Sequence, residues 1–131
     1  MPTKPAPVAA AFDAFPPPVR KRLDRVRTLI FDVAARTDGV GPLTETLKWG
    51  EPAYLTEATK SGSTVRLGWP RQVPDRAAVY FICTTNLVSD FRSFWPDLQY
   101  EGDRAILLPL EGELPEALGS CIGMALTYHK R

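Results

Sequence analysis

"ETLKWGEPAY", residues 45–54, marks the point where the chain changes its pattern. Before it, apolar residues recur at helical spacing; after it, they alternate as in strands. The stretch itself reads as a corner. Gly50 relaxes the backbone, and Pro52 pushes Glu51 toward extended geometry. Leu47 and Trp49 are expected to anchor the corner to the core, which leaves Glu45, Lys48 and Tyr54 free for recognition.

Upstream, Val19, Leu23, Val26, Ile30 and Val33 are spaced 4, 3, 4 and 3 apart. That puts them on one stripe and predicts an amphipathic helix over 18–37, closed by "TDGVG" with Gly39 as a left-handed cap. "VAAAFDAF" (8–15) is a shorter helix, stopped by Pro16, Pro17 and Pro18. Residues 1–7 hold Pro2, Pro5 and Pro7 and read as an extended, flexible tail. Segment 20–27 carries Arg20, Lys21, Arg22, Arg25 and Arg27 against Asp24, a net +4. On a helical wheel Arg20 and Arg27 flank one edge of the apolar stripe, Arg22 and Arg25 the other, and Lys21 lies opposite. This is the pattern of a solvated amphipathic helix, and a nucleic-acid or phosphate role for it is the minor reading.

Downstream, "PAYLT" is a first strand and "TVRLGW" (64–69) alternates Val65, Leu67 and Trp69 against Thr64, Arg66 and Gly68. "AAVYFICT" (77–84) is apolar on both faces, as a central strand is. "NLVSDFRSF" (86–94) is a short helix, and "LQYEGDRAILLPL" is a hairpin turning at Gly102-Asp103. "LPEALGSCIGMALTYHKR" closes the chain as a helix with Leu118, Cys121, Ile122 and Ala125 inward. Short strand connections imply a largely antiparallel sheet. The expectation is an α+β fold: about five strands, with N-terminal, middle and C-terminal helices packed on them, in one domain spanning 8–131.

Composition narrows the function classes. Of 131 residues, 44% are apolar and 24% charged, with a net charge of +1. Nothing global favours nucleic acid, and no apolar run approaches a membrane span. The start lacks a long apolar signal segment, so the expected location is cytoplasmic. Cys83 and Cys121 lie in apolar surroundings and read as buried thiols in a reducing compartment. With His129 the single histidine, no metal site or cofactor is expected. Standard nucleophile and phosphate-loop motifs are missing. On one helix, Cys121 and His129 would be separated by roughly 12 Å along the axis, too far for a dyad. Cys83 as the nucleophile of an enzyme is the minor catalytic reading.

A basic and aromatic set offers more. Arg66 shares a strand face with Thr64 and Gly68, and Tyr80 and Thr84 share a face of the central strand. Arg104 opens the last strand. Were these faces to coincide, Arg66, Tyr80, Thr84 and Arg104 would line an anion-binding concavity, with Lys48 and Tyr54 at its rim and Trp49 as an apolar wall. The competing reading pairs the arginines with Glu45, Glu51 or Glu101 in surface salt bridges. A small anionic ligand, a protein partner or a second copy of the chain would suit the exposed sheet face or edge.

The motif "ETLKWGEPAY" resembles the Glu-x-(Ile/Leu)-(Lys/Ser)-(Trp/Tyr)-Gly-x-Pro-x-(Tyr/Phe) signature of the YdhG-like domains of unknown function. "GSTVRLGW", "AVYFICTT", "LVSDFR", "YEGDRAILL" and the closing "ALTYH" extend the resemblance from about residue 8 to 129. It implies a small cytoplasmic α+β domain with a frataxin-like sandwich and no catalytic residues to carry over. Some relatives are described as frataxin-like iron chaperones. That activity implies an acidic ridge on the first helix, where this chain is basic, and a central-strand histidine, where "AVYFICTT" has none.

Overall fold

The stripe Val19, Leu23, Val26, Ile30 and Val33 is buried along one helix, α2 (Pro17–Arg36), in a computed structural model that describes residues 1–130. Its run ends at Thr37, which is extended, and Gly39 takes a positive φ of 85°. Before it, α1 (Ala6–Ala14) buries Val8 and Phe12, four apart on one face. This helix begins inside the stretch expected to be a flexible tail. Ahead of it, Lys4 pairs with Asp24 at 2.7 Å, and the Pro2 carbonyl accepts a hydrogen bond from Arg27 Nη2 at 2.7 Å.

Six strands follow: β1 (Thr44–Lys48), β2 (Glu51–Leu55), β3 (Val65–Gly68), β4 (Arg76–Tyr80), β5 (Gln99–Glu101) and β6 (Ala105–Pro109). They form one antiparallel sheet in the order β1-β2-β3-β4-β6-β5. Between β4 and β5 lies α3 (Leu87–Phe94), and α4 (Ala117–Leu126) closes the fold before a short 3-10 turn at Tyr128–Lys130. The α+β class and the antiparallel sheet are as expected. The sixth strand is the addition: the motif is a tight β-hairpin, not a corner between helix and sheet. β1 and β2 pair from Thr44↔Leu55 to Lys48↔Glu51, and Trp49 and Gly50 make the two-residue turn at φ 56° and 77°. Both turn residues are left-handed, the geometry that matches strand twist in two-residue hairpins.

All four helices pack on one face of the sheet. Val65, Leu67, Ala77, Val79, Phe81, Ile106 and Leu108 point into this core, where α4 contributes Leu118, Cys121, Ile122 and Ala125. Phe81 meets Phe91 of α3 edge-on at 5.0 Å. The expected closing helix stops at Leu126 instead of continuing through His129, which is exposed and donates its backbone N–H to the Ser61 carbonyl at 2.8 Å. Among the described residues, no helix packs on the other sheet face. A smaller apolar cluster of Ala78, Tyr80, Ala105 and Leu107 lies there, with Val73 from the β3–β4 loop packed against it.

Candidate functional site

Strand alternation and register together build the helix-free face. One row crosses all six strands: Thr46↔Ala53↔Arg66↔Tyr80↔Ala105↔Glu101. Small residues at Ala53 and Ala105 flank a central arginine and tyrosine. Two guanidinium groups approach the Tyr80 ring, Arg66 at 5.4 Å and Arg104 at 5.5 Å from its centroid. Such stacking favours a cation over an aromatic face and fixes both arginines in place.

Each arginine also has a carboxylate. Arg66 Nη1 donates to Glu51 at 2.6 Å, and Arg104 Nη2 to Glu101 at 3.1 Å. Convergence and salt-bridging, set against each other in the sequence, therefore coexist. Burial raises the Glu51 carboxyl pKa above its ordinary value, against the opposing pull of Arg66 and Arg104. Burial likewise raises the Tyr80 phenol, and nearby Glu51 and Glu101 add to the shift. Gly68 is what lets these groups close in. A Cβ at that position would lie 2.3 Å from a Glu51 carboxylate oxygen and 2.7 Å from the Tyr80 ring.

Above the row lies an open cleft of about 330 Å³. Its polar wall is basic: Lys48, Arg66 and Arg104, with Thr64 between strands and no lining carboxylate. Trp49 and Ile82 are its exposed apolar lining, Phe81 borders it while its ring faces the helix-side core, and Cys83 completes the lining. Lys48 makes no ion pair among the described residues.

Of the expected site residues, Lys48, Trp49, Arg66 and Arg104 meet in this one cleft, and Tyr80 forms the support beneath the arginines. For three of the expected site residues the structure differs from the expectation. Trp49 is not a core anchor; at the hairpin tip it is 87% exposed. Thr84 shares no strand face with Tyr80, because β4 ends at Tyr80 and residues 83–84 form an exposed turn. Tyr54 is fully buried on the helix side of the sheet.

There Tyr54 and Glu45 are cross-strand partners, and neither is free for recognition. Arg27 of α2 grips Glu45 through two nitrogens at 2.5 and 2.8 Å, while the Tyr54 hydroxyl donates to the same carboxylate at 2.8 Å. The Glu45 hydrogen bonds raise the Arg27 pKa despite its burial. Burial, reinforced by Glu45, raises the Tyr54 phenol, which stays protonated as a donor.

The thiols also divide. Cys121 is buried as expected, and burial pushes its thiol up to about 12. Cys83 is exposed, contrary to the sequence reading. Among the described residues no group of three His, Cys, Asp or Glu side chains is placed to hold a metal ion.

No family model matches the chain, and no curated protein matches it. A solved structure shares its fold: a protein of the DUF1801 family, YdhG from Bacillus subtilis. The two superpose with a TM-score of 0.62 over 89% of this chain and 85% of that one, at 16% sequence identity. The chain thus has the YdhG-like fold that its hairpin motif resembles. Among the described residues, no helix is long and apolar enough to cross a membrane.

Proposed function

We propose that the chain is a non-enzymatic cytoplasmic domain whose helix-free sheet face binds a small anionic molecule, with a carboxylate held by Arg66, Arg104 and Lys48. One observation carries this reading: three cations converge on a cleft that has no acidic wall of its own. Arginine forks suit a carboxylate, and the Tyr80 ring holds two of them in position before any ligand arrives. Trp49 and Ile82 supply the apolar wall for the rest of the molecule.

Glu101 occupies Arg104, and Glu51 is the internal competitor at Arg66, where its carboxylate is already bound. An anion has to share or displace it. Its pKa is raised, so protonation on acidification frees Arg66 at a higher pH than an ordinary glutamate would allow. Affinity for a carboxylate probe should therefore rise as pH falls through the raised Glu51 pKa, and Glu51→Gln should strengthen binding about fivefold and flatten that dependence. The check is calorimetric titration with a panel of di- and tricarboxylates at constant ionic strength. Arg66→Ala should abolish the heat of any binder. A panel without a binder, or a binder indifferent to Arg66→Ala, would refute the reading.

Cys83 provides an independent probe. A thiol reagent should modify one cysteine of the native protein rapidly and the second only on unfolding, because Cys83 is exposed and Cys121 buried. A bound carboxylate should slow the first reaction, since Cys83 lines the same cleft. Two equally fast thiols, or protection absent at saturating ligand, would contradict this placement.

The exposure of Trp49 supports a second reading, in which a protein partner or a second copy of the chain grips the hairpin tip. Sedimentation of the protein and of Trp49→Ala over a range of concentrations separates self-association from the monomeric ligand-binding state.

A further inference from the structure

Helix α2 buries two arginines, and they are treated differently. Arg27 is matched by Glu45. Arg22 is only 3% exposed, yet a single hydrogen bond is made, from Nη2 to the Gly112 carbonyl at 2.6 Å. Its Nε and Nη1 are buried without a partner. An unpaired guanidinium withdrawn from water is destabilising, and natural folds retain one where something else completes it.

Arg22 lines a cleft of about 490 Å³ between the start of α2 and residues 110–112. Lys21 and Arg25 line it as well. Although Lys21 lies opposite the apolar stripe on a helical wheel, Pro18, Lys21, Arg22 and Arg25 follow i, i+3, i+4, i+7 spacing and share the cleft. Glu111 is the one acid in the wall, and Glu113 stands 3.7 Å from Arg25 with its side chain 94% exposed. Burial, and then the charge of Arg25, lowers the Arg22 pKa, against the opposing pull of Glu113. Pro17 and Pro18 open the helix and have no N–H, so recognition here falls to side chains and not to the helix end.

We propose that this cleft takes the phosphate group of a small phosphorylated molecule, with Arg22 as its buried anchor and Lys21 and Arg25 closing on it from the solvent side. A phosphate offers more acceptor oxygens and more charge than a carboxylate, which suits the bare donors of Arg22 beside two further cations. The volume exceeds what a phosphate fills, and Pro17, Pro18 and Leu110 give the remainder of the ligand an apolar wall.

The test follows the arginine side-chain Nε–H signals by NMR while inorganic phosphate, then glycerol 3-phosphate, is added at constant ionic strength. The Arg22 signal should move saturably, and Arg22→Gln should remove the binding. Lys21 and Arg25 are exposed, so Lys21→Ala and Arg25→Ala test the site without disturbing the core; each should weaken binding about fivefold. Arg66→Ala should leave it unchanged. A response to phosphate no larger than to chloride overturns the proposal, as does affinity that survives the Lys21→Ala, Arg25→Ala double variant or is lost with Arg66→Ala.

Discussion

Glu45→Ala is expected to destabilise the protein by about 3–5 kcal/mol, because it strands a buried arginine. The side chains of Arg27 and Glu45 are 7% and 5% exposed, so water cannot replace the lost carboxylate. Arg27 would keep the Pro2 carbonyl, the face of Phe31 5.0 Å away and the charge of Asp24. The Tyr54 hydroxyl would lose its acceptor at the same time. A loss of this size is a large part of the roughly 5–15 kcal/mol that holds a domain folded. It should lower the urea midpoint with little change in slope.

The partners separate the mechanism. Tyr54→Phe removes one donor and keeps the ring packed edge-on to Phe31 at 5.8 Å, so about 1 kcal/mol is expected. Joining Arg27→Met to Glu45→Leu removes both charges and should recover much of what either single change loses. A loss under about 1 kcal/mol for Glu45→Ala would mean the pair behaves as a solvated one. Additivity in the double variant would refute the stranded-charge explanation.

The same pair shows what the sequence conceals. Glu45 read as free because an acid two residues from a leucine, near a turn, is ordinarily solvated. Its burial depends on Arg27, a helix residue 18 positions earlier, arriving beside Tyr54. Helix α2 was legible because its spacing requires no knowledge of its partner. The inward residues of β3 were legible for the same reason, and period 2 correctly set Thr64, Arg66 and Gly68 together. The hairpin was hidden because Trp-Gly is not the Asn-Gly or Asp-Gly that announces a two-residue turn, and a tryptophan at positive φ is uncommon. Missing β1 turned Trp49 inward and left the sheet one strand short. Thr84 and Cys83 were misplaced because apolar residues continue past the last paired position. Tyr80 still faces Arg66 and Ala105; no strand partner is paired with residues 81–84. The convergence of Lys48, Arg66 and Arg104 needed register, which alternation within a single strand does not supply.

Gly62→Ala is the second large effect expected, and its reason lies in approach distance, not in backbone conformation. Gly62 does not occupy the left-handed region, so its place in "KSGS" reads as an ordinary turn glycine. In the fold, this loop caps the end of α4. Ser61 Oγ donates to the Leu126 carbonyl at 2.8 Å, and Ser63 N–H to the Ala125 carbonyl at 2.8 Å. Those are among the last carbonyls of a helix, which lack partners within it. Gly62 sits between the two serines, and a Cβ there would lie 2.3 Å from the Leu126 carbonyl oxygen and 2.5 Å from that of Ala125. Both are backbone atoms of a packed helix, so relief means moving the loop off α4 and breaking its caps. Steric strain of about 1–3 kcal/mol and the loss of one or two buried hydrogen bonds combine to roughly 3 kcal/mol. Hydrogen exchange should locate the change, with protection lost first at Ser63 and in the last turn of α4. The contrast is Gly50→Ala, at a φ of 77° but with open space around it, where only the smaller left-handed strain of about 1–2 kcal/mol applies. If Gly62→Ala were milder than Gly50→Ala, close packing of the loop on α4 would not be what requires a glycine there.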